Sequence, residues 1–142
     1  MVAFKLVIGL KDGKCVQKGL QEPQASVLVG KKIGDNIAGE SIGLDGYEFK
    51  LTGGSDFCGF PMRPDVQGFN RKRILSIAGT IGVGGYYAKK RGGKVITKKI
   101  GKGIKIRKTV CGNTVSDKTA QVNLKVLKEG AQPIVHEPSK KE

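Results

Sequence analysis

This chain of 142 residues has no tryptophan, one histidine and three cysteines. The cysteines, Cys15, Cys58 and Cys111, are widely spaced and form no CxxC pair. With His136 they cannot supply a zinc site of recognisable spacing, so no metal is expected. An odd number of unpaired thiols fits small, partly buried side chains in a reducing compartment, which places the chain in the cytoplasm. Apolar runs are only a few residues long, far below the roughly 20 that a membrane-spanning helix needs. The opening MVAFKLVIGLKDG has a lysine within its apolar stretch, no basic n-region and no small-residue cleavage site. It reads as a strand, not a secretory signal, and no membrane partner is expected.

Catalytic signatures are missing too. The Gly-Lys pairs are followed by Cys15, Lys32, Val95 and Gly103, never by the Ser or Thr that completes a phosphate-binding loop. The glycine-rich stretch GTIGVGG at residues 79–85 misses the GxGxxG register, and no helix follows it. Glycines there can instead let backbone approach backbone closely. Asp56 follows Gly-Gly-Ser, and a carboxylate on a glycine turn serves as a turn cap before it serves as a base. The expectation is a protein that is not an enzyme, with no cofactor and no small-molecule substrate.

The missing acid is the most informative absence. The net charge is +14, yet residues 1–70 hold 8 basic and 8 acidic side chains. Residues 71–142 hold the other 18 basic and 4 acidic ones, and between Arg71 and Lys108 there are 13 Lys+Arg and no acid. Ordinary solvated surfaces intersperse both signs. A one-signed field of this kind is the footprint of a polyanionic partner.

Val and Ile number 25, against 18 for Leu, Met and Ala together, and 22 residues are glycine. β-branched residues fit pleated surfaces, while frequent glycines cut a chain into short pieces and weaken helices. Ala120, Val122, Leu124 and Val126 alternate with Gln121, Asn123 and Lys125, a period of two that marks a half-buried strand. Val2, Phe4, Leu6 and Ile8 give a similar signal. Further strands are predicted at residues 26–29, 47–51, 74–77, 94–97 and 103–110, with turns at Asp12-Gly13 and Asp45-Gly46. The fold class is therefore all-β, a small closed or nearly closed β-barrel of seven or eight short strands spanning residues 1–129. A basic, glycine-rich loop segment at residues 71–108 interrupts it, and residues 130–142, which contain His136, form a short flexible tail.

Within the basic segment, Tyr86, Tyr87, Lys89, Lys90, Arg91 and Lys94 are followed by Lys98, Lys99, Lys102, Lys105, Arg107 and Lys108. Ammonium and guanidinium groups neutralise phosphates and release counterions, and tyrosines can stack on splayed bases. Glycines at 92, 93, 101 and 103 would let the segment follow an irregular RNA surface. Arg71, Lys72 and Arg73, just before the strand at Ile74, add a second contact point.

Two stretches carry a resemblance to a known family. The first is LTGGSDFCGFPMR, residues 51–63, and the second is RKTVCGNTVSD, residues 107–117, followed by AQVNLKV at 120–126. They resemble the signature motifs of the small-subunit ribosomal protein S-six family, eukaryotic/archaeal type. The resemblance covers roughly residues 1–130. It implies a compact β-barrel, a structural constituent of the small ribosomal subunit, embedded in folded small-subunit ribosomal RNA and in contact with neighbouring ribosomal proteins. On the matching positions, Gly53, Gly54 and Gly59 would shape a turn with Asp56, Phe60, Pro61 and Met62 would pack it, and Arg63 would leave it toward phosphate. Eukaryotic members carry a long basic C-terminal helix. This sequence stops soon after its last predicted strand, which favours the archaeal type. It departs from the family at Ile104, Ile106 and Cys111, where arginines are commoner. The alternative is a free single-strand RNA-binding β-barrel module outside the ribosome. That role needs several stacking aromatics on one sheet face, and the chain has 3 Tyr and 5 Phe in all.

Overall fold

The computed structural model describes residues 3–130 and 134; of Tyr87, Lys89, Lys90 and Arg91 it describes the backbone alone. Among the described residues there are nine strands, joined by tight turns and by longer stretches at 22–35 and 57–71: β1 (Ala3–Gly9), β2 (Cys15–Gln21), β3 (Asn36–Ala38), β4 (Glu48–Asp56), β5 (Lys72–Ile77), β6 (Tyr86–Arg91), β7 (Lys94–Lys99), β8 (Lys105–Val110) and β9 (Thr119–Lys128). The chain is mostly β, as its composition predicts.

The alternating residues at both ends of the sequence build the core. Phe4, Leu6 and Ile8 of β1 and Val122, Leu124 and Val126 of β9 all face inward. They meet Phe49 and Leu51 of β4, and Tyr47 stacks on Phe49 with ring centroids 5.7 Å apart. These strands form one five-stranded sheet in the order β2-β1-β9-β4-β3. β9 is its central strand, parallel to β1 and antiparallel to β4. Asp12-Gly13 makes the β1–β2 turn, with Gly13 at φ 81°. Ile134 packs against the core; residues 131–133 and 135–142, including His136, lie outside the described residues.

Three features differ from the sequence-based expectation. The first concerns closure. β2 and β3 are the free edges of the five-stranded sheet, and β5–β8 and β6–β7 are separate two-stranded ladders. Single bridges, Lys32 to Thr114 and Met62 to Cys111, draw the pieces together without a continuous ladder. Second, residues 26–29 are not a strand. They belong to a 3-10 turn, Gln24–Leu28, in which Ala25 and Leu28 are buried while Val27 faces out. The burial step is three rather than two, and the Ser26 hydroxyl donates to the Pro23 carbonyl at 2.6 Å. Third, the basic segment is not a loop but an ordered β arm.

In that arm β5 pairs with β8, the Ala78 amide continues the ladder to the Ile104 carbonyl (2.9 Å), and the Ile100 amide reaches Gly85 (2.8 Å). β6 and β7 then extend it to a two-residue turn closed by Arg91 opposite Lys94. Gly92 and Gly93 sit at φ 56° and 77°, the geometry of the primed turns that suit a twisted hairpin. The arm is thus one bent two-stranded ribbon.

Candidate nucleic-acid interface

The motif GGSDFCGFPMR begins inside β4, so Gly53 and Gly54 are strand residues and Gly59, at φ 80°, makes the turn. A side chain at Gly54 would run into the Gln121 carbonyl and the Met62 sulfur. Beside Gly53 the space is open, and nothing in the structure demands glycine there. Asp56 ends the strand, almost fully buried. Its Oδ1 accepts the amides of Cys58 (3.0 Å) and Phe60 (2.8 Å), capping the turn as the sequence predicts. Its Oδ2 accepts the Arg71 Nε at 2.6 Å and the Cys111 thiol at 3.2 Å.

These contacts govern the chemistry. Burial alone would raise the Asp56 carboxyl, but hydrogen bonds from Cys111, the Phe60 amide and Arg71 outweigh it and hold the group below its ordinary 3.8. Burial and the neighbouring carboxylate push the Cys111 thiol up to about 11, so it stays protonated and donates. The Arg71 guanidinium also lies 4.9 Å from the Phe57 ring centroid and 5.0 Å from that of Phe60. Arg71 therefore ties β5 to the motif turn.

Arg63 is used in the same way. It makes a bidentate pair with Asp65, both contacts at 2.7 Å, and donates from Nη1 to the Ile81 carbonyl. Its pKa is raised chiefly by the Asp65 hydrogen bonds. The Ile81 carbonyl belongs to the tight turn at residues 79–83, where the Gly79 amide reaches Val83 at 3.0 Å and Gly82 packs on Pro61 and Arg63. The glycine-rich stretch is a docking turn for the root of the arm; Gly79 and Gly82 supply its positive φ values, 90° and 73°, and Gly82 faces the Pro61 and Arg63 side chains rather than backbone. Both Arg63 and Arg71 have carboxylate partners, which sequence reasoning missed; the acids two residues from Arg63 and at the buried end of β4 were the available signals.

The other described cations of the basic segment have no acidic partner. All six residues of β7 are exposed, including Lys94, Lys98 and Lys99, and so are Lys102, Lys105, Arg107 and Lys108. Among the described side chains, none of these, nor Lys72 or Arg73, has an acidic partner. Tyr86 is 64% exposed on β6. The side chains of Tyr87, Lys89, Lys90 and Arg91 lie outside the described residues, though their backbone register opposite Lys98, Ile96, Val95 and Lys94 is set. At the root of the arm, a cleft of about 410 Å³ brings Arg73, Arg107 and Lys108 against Phe60, Pro61 and the Gly82 and Gly84 backbone. The structure thus joins the motif turn to the basic segment, which are far apart in sequence. On the outer face of β5–β8, Leu75 and Ile77 are exposed between Arg73, Lys105 and Arg107. Chemically, this surface can bind repeated negative charge.

Residues 4–137 match the family described as ribosomal protein S6e. Among curated proteins, the chain is 45% identical over 123 residues to the small ribosomal subunit protein eS6 of Nanoarchaeum equitans, covering 87% of this chain and 79% of that one. It is 39% identical over 142 residues to the protein of the same name from Methanococcus maripaludis strain C7, covering 99% and 100%. The Methanothermobacter thermautotrophicus relative is 40% identical over 133 residues, covering 94% and 93%.

Proposed function

Since the chain belongs to the ribosomal protein S6e family, of the archaeal type, we propose that it is a structural constituent of the small ribosomal subunit in the cytoplasm and grips folded ribosomal RNA with its basic arm. The family is structural, not enzymatic. The observation that carries the RNA-binding part is the arm itself: an acid-free ribbon whose described cations beyond Arg71 have no protein partner. A two-stranded ribbon is at best marginally stable alone, and its like charges repel. RNA phosphates would cancel that repulsion and release counterions. Lys72, Arg73, Lys94, Lys98, Lys99, Lys102, Lys105, Arg107 and Lys108 are the phosphate contacts, joined by Lys89, Lys90 and Arg91, while Tyr86 and Tyr87 offer ring faces to bases. Arg63 and Arg71 act by fixing the motif turn and the root of the arm. Neighbouring ribosomal proteins are the expected partners of the surfaces that RNA leaves free.

Sucrose-gradient sedimentation of native extract tests this reading. The chain should comigrate stoichiometrically with small subunits and stay there through a high-salt wash. Recovery at the top of the gradient, free or on small RNAs, would overturn the ribosomal assignment and leave a free RNA-binding module. With roughly six to ten phosphate contacts, affinity for the RNA should fall about 10³- to 10⁵-fold between 50 and 200 mM salt. Replacing Lys94, Lys98 and Lys99 by Gln should flatten the log–log salt slope by about 2 to 3. An unchanged slope would mean that the arm points away from RNA.

A further inference from the structure

A second cleft, of about 490 Å³, opens on the other flank of the motif turn, and it has no part in the arm. Its size falls within the range of small-ligand sites, roughly 300–1,000 Å³. Two phenylalanines line it, Phe57 at 65% exposure and Phe69 at 58%. Large rings left in water on a charged protein mark a contact surface. Both are held in place. The Phe57 amide donates to the Lys118 carbonyl at 3.1 Å, and the Arg71 guanidinium stacks on its ring. Phe69 follows Gly68, whose carbonyl accepts the Thr114 amide at 3.2 Å, while the Asn113 side chain donates to Pro64 and Gln67 in the same loop. A side chain at Gly112 would fall on the Gly68 carbonyl, so the loop closes against bare backbone.

The free charge lining the cleft is positive. Arg71 and Lys118 line the cleft, and its lone acid, Asp56, is buried and already paired with Arg71. The Asn70 amide and the Ser116 hydroxyl, also in the lining, have no hydrogen-bond partner among the described residues. Exposed rings, a free cation and unused polar groups in one concave site are what a splayed-out nucleotide requires: stacking for the base, polar groups for its edge, and an ammonium for phosphate. A neighbouring protein's apolar side chain would use the rings and leave the cations idle.

We propose that this cleft holds one unpaired nucleotide of the bound RNA, with its base stacked on Phe57 and Phe69 and its phosphate at Lys118. The inference rests on the RNA-binding reading above and adds a base-contacting site outside the arm. The test is filter binding of in vitro transcribed small-subunit ribosomal RNA to the full chain and to the double variant Phe57→Leu/Phe69→Leu. Loss of one stacked base should weaken binding about 5- to 150-fold. The salt slope should not move, because no charge is removed. Since both rings are exposed, the melting temperature should hold, which separates a lost contact from a lost fold. Lys118→Gln should lower the slope by about one. Wild-type affinity in the phenylalanine variant overturns the inference while leaving the arm's role intact. Wild-type RNA affinity combined with release from small-subunit particles would hand the cleft to a neighbouring protein, which also overturns it. If the wild-type chain did not bind the RNA at all, the RNA-binding reading would fail first and the cleft assignment with it.

Discussion

In the five-stranded sheet, alternate residues of β1, β4 and β9 (Phe4, Leu6, Ile8, Phe49, Leu51, Val122, Leu124 and Val126) are no more than 2% exposed. In β7 of the arm, every residue is exposed, Val95 at 58% and Ile96 at 46%. Both regions are backbone-hydrogen-bonded β ladders. The sheet buries a whole face, whereas the arm is half-buried only along β5–β8, near its root, and is open in β7, and that difference divides the labour. Hydrophobic burial holds the sheet, whereas the arm has geometry and charge but little to hold it except its root on Pro61, Arg63 and Asp56. The buried core and the unpaired cations are therefore written into separate stretches of chain, joined at the motif turn through Asp56, Pro61 and Arg63.

Substitutions can break this division at its strong end. Phe49→Ala in the sheet should cost about 3–5 kcal/mol, enough to unfold much of the population. Ile96→Ala in the arm should stay within about 0.5 kcal/mol. Urea denaturation of the two variants measures both, and comparable losses would mean that the arm is packed in solution.

The joint should give a smaller effect. Asp56→Asn keeps the shape and one oxygen for the Cys58 and Phe60 amides, but sets an NH2 donor against the Arg71 and Cys111 donors, a loss of about 1.5–3 kcal/mol. Because the Asp56 carboxyl is held below 3.8 in the folded chain, its contribution is full above that value and disappears as pH falls through the lower folded value. Stability measured from pH 5 to pH 2 should fall less steeply in Asp56→Asn than in wild type. Parallel curves would show that the carboxylate is not the joint.

Least visible in global stability is the arm's local opening. Trypsin should cut first after lysines of residues 94–108 while leaving β1, β4 and β9 intact, since exposed, sparsely packed ribbons open at little free-energy cost. Added small-subunit RNA should protect those sites. First cuts at Lys5 or Lys125 would reverse the comparison.

Much of the sheet was legible in sequence because β1 and β9 alternate along most of their length and β4 does so over residues 48–51 before its glycines break the period. β2 was not. Its inward positions are Val16, Lys18 and Leu20, and a half-buried lysine on this edge strand breaks the apolar pattern that would reveal it. β3 is three residues with only Ile37 buried, too short for any period to register. The arm was legible as charge and, in β5, β7 and β8, as the strands predicted at 74–77, 94–97 and 103–110. β6, with its run of Lys89, Lys90 and Arg91, gave no apolar period, and the signal for its pairing with β7 was the Gly92-Gly93 pair, which suits a primed hairpin turn. The candidate interface was half legible. The acid-free run showed where free cations cluster. The pairing of Arg71 with Asp56, however, joins residues 15 apart in sequence through a carboxylate buried at the end of β4, and no local rule links them.

The central place of β9 has a consequence for how the chain is made. β9 emerges after every other described strand, yet it pairs with β1, the first, and with β4. The sheet therefore cannot be completed until nearly the whole chain is available, and its nucleus must close a loop of more than 100 residues, a topology that folds slowly. The arm, whose strands are contiguous between Lys72 and Val110, can pair as soon as it is synthesised. The cation-rich ribbon can thus form before the sheet that anchors it.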